Sequence, residues 1–331
     1  VEFDRTAIHA VLAGIQVLFV LIVAGFPCQG LSGANANKKG FYDPRSQLFF
    51  EALRVVKDVQ TEKHRLEFLF ENVASMDGQD RDLVSHYLGV RPVVACSAGL
   101  SQVKRKRYLW MSWKIPEWEG VTVCEQEAKW AVTFQAQIPP AGLWITPGWE
   151  MLGAPEERFP TFMRSLPKNQ ETFKPSGIEA TPNDARKRWA DDNWRYPPYQ
   201  YRREYCLRRT KAPHELRLLN ANEREILMFL GKGATKYAIN PTKVPEDPVG
   251  YEDIRCSLIG NSFHAGVFAM IMSVIFEKKG LLSQKPTAQA MVSRQGLHPG
   301  ETYVQGLRCD LARPPTFHRL DDQRRGLCHS S

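Results

Sequence analysis

"VLFVLIVAGFPCQG", residues 17–30, stays apolar up to Gly25 and then breaks on a Pro-Cys turn. A parallel strand covered on both faces reads as such a continuous run, because neither side of the pleat meets water. Residues 17–25 are therefore predicted to form a buried strand that delivers Pro27 and Cys28 to its carboxyl end. The wider run over residues 10–26 is also almost wholly apolar. It is barely long enough to span a bilayer, carries Gln16, and follows Asp4 rather than a basic cluster. The strand reading is preferred over a membrane anchor, and no membrane partner is expected.

Downstream, "SQLFFEALRVVKD", residues 46–58, repeats apolar residues at helical spacing. "LEFLF", residues 66–70, reads as the next strand, and "RDLVSHYLG" as a helix ended by Gly89. "RPVVACSAG" and "RYLWMSW" read as two further strands, an antiparallel edge pair with a basic loop between them. Strand, helix, strand, helix, strand predicts an α/β fold on a largely parallel sheet.

The composition is compatible with that class. A chain of 331 residues at 43% hydrophobic can bury one large core or two. Its seven cysteines include no C-x-x-C pair, which argues against a disulfide framework or a zinc knuckle, and no metal is expected. The net charge of +8 favours a polyanionic partner. The chain opens on Val1 rather than Met and is expected to be a fragment.

Residues 1–113 are assigned to the catalytic α/β region. The texture changes after Trp113: residues 114–215 are rich in Pro and Trp and read as an irregular inserted subdomain. Helical periodicity returns over residues 216–280, where "SFHAGVFAMIMSVIFEK" is one long apolar helix. Residues 281–331 are polar and weakly patterned, and are expected to be a peripheral or disordered tail.

In an open α/β sheet, functional groups gather beyond the carboxyl ends of the strands. "PCQ", "ENV" at residues 71–73 and "KRKR" at residues 104–107 would bring a thiol, a carboxylate and guanidinium groups to that edge. Singly, each has a bland reading: a buried filler, a helix cap, a solvated loop. Together they suit a thiolate attacking a ring polarised by a carboxyl and an arginine, as a pyrimidine base would be.

The ordered set "GFPCQGLS", "FLFENVASM", "QVKRKRYLWMSW", "NANEREILMFLG" and "LIGNSFHAGVFAMI" resembles the cytosine-5 DNA methyltransferase family, with most likeness to its de novo type. The resemblance runs from about residue 17 to residue 276. It implies a Rossmann-like sheet that uses S-adenosylmethionine, with residues 114–215 as the target-recognition subdomain and residues 216–280 closing on the cofactor. It implies Cys28 as the nucleophile attacking carbon 6 of a flipped-out cytosine, Pro27 as the residue shaping its loop, and Glu71 as the group binding the ring nitrogen and exocyclic amine. Asn72 would brace the Pro-Cys loop. Arg105 and Arg107 match the family's two loop arginines, the second near the cytosine carbonyl oxygen. Asn261, Ser262 and Phe263 match the segment that closes over the cofactor.

The sequence departs from the family at two places. Val103 stands where the arginine loop usually carries glutamine, a loss shared by the de novo type. The family's early F-x-G-x-G turn, with two further strands, has no counterpart ahead of Cys28, where "LAGIQ" at residues 12–16 is no such motif. At roughly 30 residues per β-α-β unit those strands do not fit there, so the cofactor end is expected to be incomplete.

Residues 183–211 hold nine Lys/Arg against four Asp/Glu with six Trp/Tyr interleaved. Arg202, Arg203, Arg208 and Arg209 would neutralise DNA phosphates and the aromatics would stack on bases, or the same residues form an ordinary subdomain face. DNA is the expected partner, with a nuclear location in a eukaryote and a cytoplasmic one otherwise; a homo- or hetero-oligomer is compatible with the sequence. Two other readings are carried: an inactive DNA-binding or regulatory homologue, and a tRNA cytosine-5 methyltransferase, whose Cys-Phe-Thr tripeptide is not found here.

Overall fold

The structure is a computed structural model that describes residues 19–35, 37–60, 65–163, 182–236, 238–239 and 246–296. Its centre is a six-stranded mixed sheet in the order β1-β2-β4-β3-β6-β5. The strands are β1 (Val20–Gly25), β2 (Leu66–Val73), β3 (Val93–Cys96), β4 (Lys106–Met111), β5 (Val121–Gln126) and β6 (Lys129–Phe134). Pairs β1–β2 and β3–β6 are parallel, and β2–β4, β3–β4 and β5–β6 are antiparallel.

Alternation along β2 decides what covers each face. Phe68 and Phe70 point into one core with Phe49, Leu53 and Val56 of helix α1 (Leu48–Gln60), whereas Leu69 joins a core on the other face. Spacings of four and three along α1 place those three residues on one stripe. Helix α2 (Gly78–Leu88) packs on the same side as α1. It stops where Gly89 adopts φ 68°, a left-handed conformation that costs glycine little. The opposite face is covered by Met270, Ile271, Val274 and Ile275 of helix α6 (Ala265–Lys278), which is buried around most of its circumference.

Four features depart from the expectations above. Strand β1 is half-buried rather than buried: among the described residues it pairs only with β2, and Val23 is 39% exposed. The β3–β4 pair is not at the edge, because β6 and β5 add beyond β3, so the main sheet continues to Phe134, past the boundary placed at residue 113. A second sheet of β7 (Trp149–Met151), β8 (Leu207–Arg209) and β9 (Leu216–Arg217) runs across the boundary placed at residue 215. Its core takes Ala185 and Trp189 of α3 (Asn183–Asp191), Leu227 of α4 (Ala221–Leu227) and Ile259 of α5 (Pro248–Asn261).

The stretch expected to be a peripheral tail is the fourth. Helix α7 (Ala288–Val292) buries Ala288, Met291 and Val292 in the main core, capped by Thr287, whose hydroxyl accepts from the Ala290 N–H at 3.0 Å. Residues 297–331 of that tail lie outside the described residues, as do residues 17 and 18 of the first predicted strand.

Candidate active site

The site is assembled at the carboxyl ends of β1 and β2. Parallel register sets Gly25 opposite Glu71, and the next turn carries Phe26, Pro27 and Cys28. Asn72 is 1% exposed; its side-chain amide donates to the Phe26 carbonyl at 3.0 Å, and its Oδ1 accepts from the Val73 N–H at 2.8 Å. The Cys28 carbonyl then accepts from Leu31 and Ser32 at 3.0 and 2.8 Å, which curls the chain after the cysteine. Gly30 is where the loop comes closest to its neighbours: an added Cβ would lie 2.4 Å from Ser46 Oγ and 2.5 Å from Asp43 Cβ. Cross-links from Gly33 N–H to Ser75 Oγ at 3.1 Å and from Lys38 to Asp77 at 2.6 Å tie the loop to the residues following β2.

Arg107 lies opposite Val73 across the β2–β4 ladder, a diagonal neighbour of Glu71 on the same face. Its Nε donates to Glu71 Oε1 at 2.9 Å, with both side chains mostly buried. Arg105, buried, points the other way along the loop, and its guanidinium donates to the Ser262 and Gly260 carbonyls at 2.6 and 3.1 Å. Burial, and then the neighbouring Arg107 cation, pull the Arg105 pKa down to about 9. Burial also raises the Glu71 carboxyl above its usual range, against the pull of Arg107 and Arg105. The Cys28 thiol is raised by burial too, with Arg107 and Arg105 favouring the thiolate and Glu71 opposing it.

The structure therefore brings Cys28, Glu71, Arg105 and Arg107 into one electrostatic neighbourhood, braced by Asn72 beside Pro27. Phe263 joins them. A Cβ on Gly25 would sit 3.1 Å from Phe263 Cζ and 3.6 Å from Glu71 Oε2, so the bare glycine lets the ring lie against the strand end. Ser262 uses its hydroxyl on the Ile259 carbonyl at 2.8 Å and its own carbonyl on Arg105. That leaves the exposed Asn261 side chain and the half-buried Phe263 ring as the parts of this segment open to a ligand.

The basic segment divides differently from its sequence reading. Trp189, Tyr196 and Tyr201 are buried in the second core, so they pack the subdomain and are not free to stack on bases. Trp194 is half exposed and meets Trp189 edge-on at 4.5 Å. Arg208 pairs with Glu150 at 2.5 Å and Arg209 with Glu215 at 3.5 Å, carboxylates from outside the segment. Arg202 is half-buried, and Arg203 is exposed.

Comparison with known proteins bears on the first part of the chain. Residues 4–88, which hold Cys28, Glu71 and Asn72, match the family model of the C-5 cytosine-specific DNA methylases. That stretch of the chain is therefore similar to the C-5 cytosine-specific DNA methylases. It is 42% identical over 62 residues to the type II methyltransferase M.DsaV of Dactylococcopsis salina, which is 18% of this chain and 16% of that protein. It is 44% identical over 61 residues to the type II methyltransferase M.SsoII of Shigella sonnei, 18% of this chain and 15% of that protein. The chain thus spans less than a fifth of the curated relatives it matches. A crystal structure of a DNMT2 mutant from Spodoptera frugiperda aligns over 83% of each chain at 13% identity and a TM-score of 0.44.

Sequence reasoning missed three residues around this site: Ser97, Ser101 and His264. The serines flank a glycine turn ahead of the arginine loop. His264 directly precedes an apolar helix, which marks a cap position but says nothing of what its ring touches.

Proposed function

We propose that this chain carries the catalytic centre of a DNA cytosine-5 methyltransferase. One observation carries the reading: Cys28, at the end of β1, stands in the field of the Glu71–Arg107 pair at the end of β2, the two strand ends being locked together by Asn72. In this reading the Cys28 thiolate bonds to carbon 6 of a flipped-out cytosine. Glu71, favoured in its protonated form by burial, gives a proton to the ring nitrogen, and Arg107 faces the carbonyl oxygen. Electron density then moves to carbon 5, which becomes the nucleophile. S-adenosylmethionine would supply the methyl group, leaving as a neutral thioether; loss of the carbon-5 proton and elimination of the Cys28 thiolate then restore the ring, and Asn261 and Phe263 are the described residues open to the donor.

The substrate base must leave its duplex to reach Cys28. The exposed Arg203 and Trp194 would offer phosphate and base contacts, with Arg202, Arg208 and Arg209 in support. The test is transfer of a labelled methyl group from S-adenosylmethionine to unmethylated duplex DNA, with tRNA in parallel and Cys28→Ala as the control. Transfer to duplex DNA that disappears in Cys28→Ala supports the reading. Transfer to tRNA alone moves the substrate to RNA, and transfer to neither refutes activity for this chain.

A further inference from the structure

Two polar links bind the loop between β3 and β4 to the segment between α5 and α6, across 163 and 157 residues of sequence. The first runs through His264. Its Nδ1 accepts from the Val267 N–H at 3.2 Å and so caps α6. With Nδ1 accepting, the proton of the neutral ring sits on Nε2, which donates to Ser101 Oγ at 2.9 Å. Burial, aided by the Arg105 cation, holds the ring pKa at about 3, so it stays neutral at any physiological pH.

Ser101 passes the link on. Its Oγ also accepts from the Val103 N–H at 3.2 Å, and the Val103 carbonyl accepts the Ser97 hydroxyl at 2.5 Å. Ser97 Oγ accepts in turn from the Arg105 N–H at 3.0 Å. The second link closes the circuit, because the Arg105 guanidinium returns to the Ser262 carbonyl, two residues before His264. Phe263 lies inside this circuit, and Arg107, which grips Glu71, follows Arg105 by two residues.

We infer that His264 is a positioning residue for the Cys28–Glu71–Arg107 site, acting through its Nε2–H bond to Ser101 and separately from its capping of α6. The inference rests on the reading of Cys28 as the reactive thiol, but its test does not require methyl transfer. The charged groups that act on Cys28 are Glu71 from β2, Arg105 and Arg107 from the β3–β4 side, and Arg45 from the turn ahead of α1. Loosening the loop withdraws the Arg105 cation, while Arg107 stays held in β4 between β2 and β3, and so disfavours the thiolate.

Asparagine separates the two roles of His264. It is among the best N-cap residues, yet its short amide cannot cap Val267 and also reach Ser101. Cys28 is partly exposed, so iodoacetamide can reach it, the thiolate displacing iodide. The experiment follows alkylation of the Cys28 peptide by mass spectrometry against pH in wild type, His264→Asn, His264→Ala and Ser101→Ala, with thermal unfolding alongside.

His264→Asn is expected to melt near wild type yet move the Cys28 alkylation midpoint upward by about half to one pH unit, a roughly three- to tenfold loss of thiolate at fixed pH. Ser101→Ala, which leaves the cap intact, should shift it in the same direction. His264→Ala should lose both midpoint and melting temperature. An unshifted midpoint in folded His264→Asn and Ser101→Ala overturns the inference and leaves His264 a cap alone; if the histidine variants do not fold, Ser101→Ala decides. A shifted midpoint in a chain that methylates nothing would keep the positioning role and remove the proposed function.

Discussion

Replacing Asn72 by alanine removes both halves of the bond set that holds the Pro-Cys loop to β2. The Phe26 carbonyl loses its 3.0 Å donor and the Val73 N–H its 2.8 Å acceptor, in a place where Asn72 itself is almost fully buried. A buried polar group left without a partner costs about 1–3 kcal/mol, so two of them set the expected destabilisation at about 3 kcal/mol once some relaxation is allowed. With a urea slope of about 2 kcal/mol/M, the unfolding midpoint should fall by roughly 1.5 M. Equilibrium unfolding followed by tryptophan fluorescence suits the measurement, since Trp110 lies fully buried in the same core as Phe26. Asn72→Asp is the companion: it keeps the acceptor for Val73 but cannot donate to Phe26 and sets a buried carboxylate against the Phe26 carbonyl. It should be at least as damaging at neutral pH. A loss below about 0.5 kcal/mol in Asn72→Ala would refute the reasoning, since it would mean that the loop carbonyl finds another donor at no cost.

Further expectations concern the other groups of the site. Burial raises the Glu71 pKa, so the folded chain holds a proton that the unfolded chain releases. The stability tied to this group is complete below the unfolded carboxyl pKa and is lost as pH rises through the folded value. Glu71→Gln should therefore gain stability relative to wild type as pH rises above the unfolded carboxyl pKa of about 4 in urea titrations, and a flat difference would refute the upward shift. Gly30→Ala should cost about 1–3 kcal/mol in the same assay, because its Cβ would collide with Ser46 and Asp43; an unchanged midpoint would show room in the loop. Arg203→Glu should weaken duplex DNA binding and reduce the salt slope by about one unit per lost phosphate contact, whereas unchanged affinity at low salt returns that residue to a structural role.

The elements with strong local patterning were legible. The helix at α1, the glycine stop at Gly89 and the apolar helix α6 each follow from short-range spacing. So did the meeting of Cys28 with Glu71, since parallel strands place their carboxyl ends side by side. Neighbours fixed by distant pairing were not legible. Nothing in "KWAVTF" shows that it adds in parallel to β3 beyond the β3–β4 hairpin. The short helix at Ala288 looks peripheral until its three apolar residues are seen to complete the main core. The basic, aromatic segment misled for the same reason: charge counts do not include Glu150, which arrives from β7, and Glu215, from the turn ahead of β9, and a tyrosine in sequence carries no mark of whether it faces water or Trp189.

The link from Arg105 to Ser262 also sets an order of events in synthesis. A ribosome adding about 5–20 residues per second needs roughly 8–30 s to travel from one to the other. During that interval the nascent chain holds Cys28, Glu71 and both arginines, yet lacks the carbonyls on which Arg105 comes to rest. Cys28 and its charged neighbours are thus made early and framed late, since the carbonyls that hold Arg105 follow it by 155 and 157 residues.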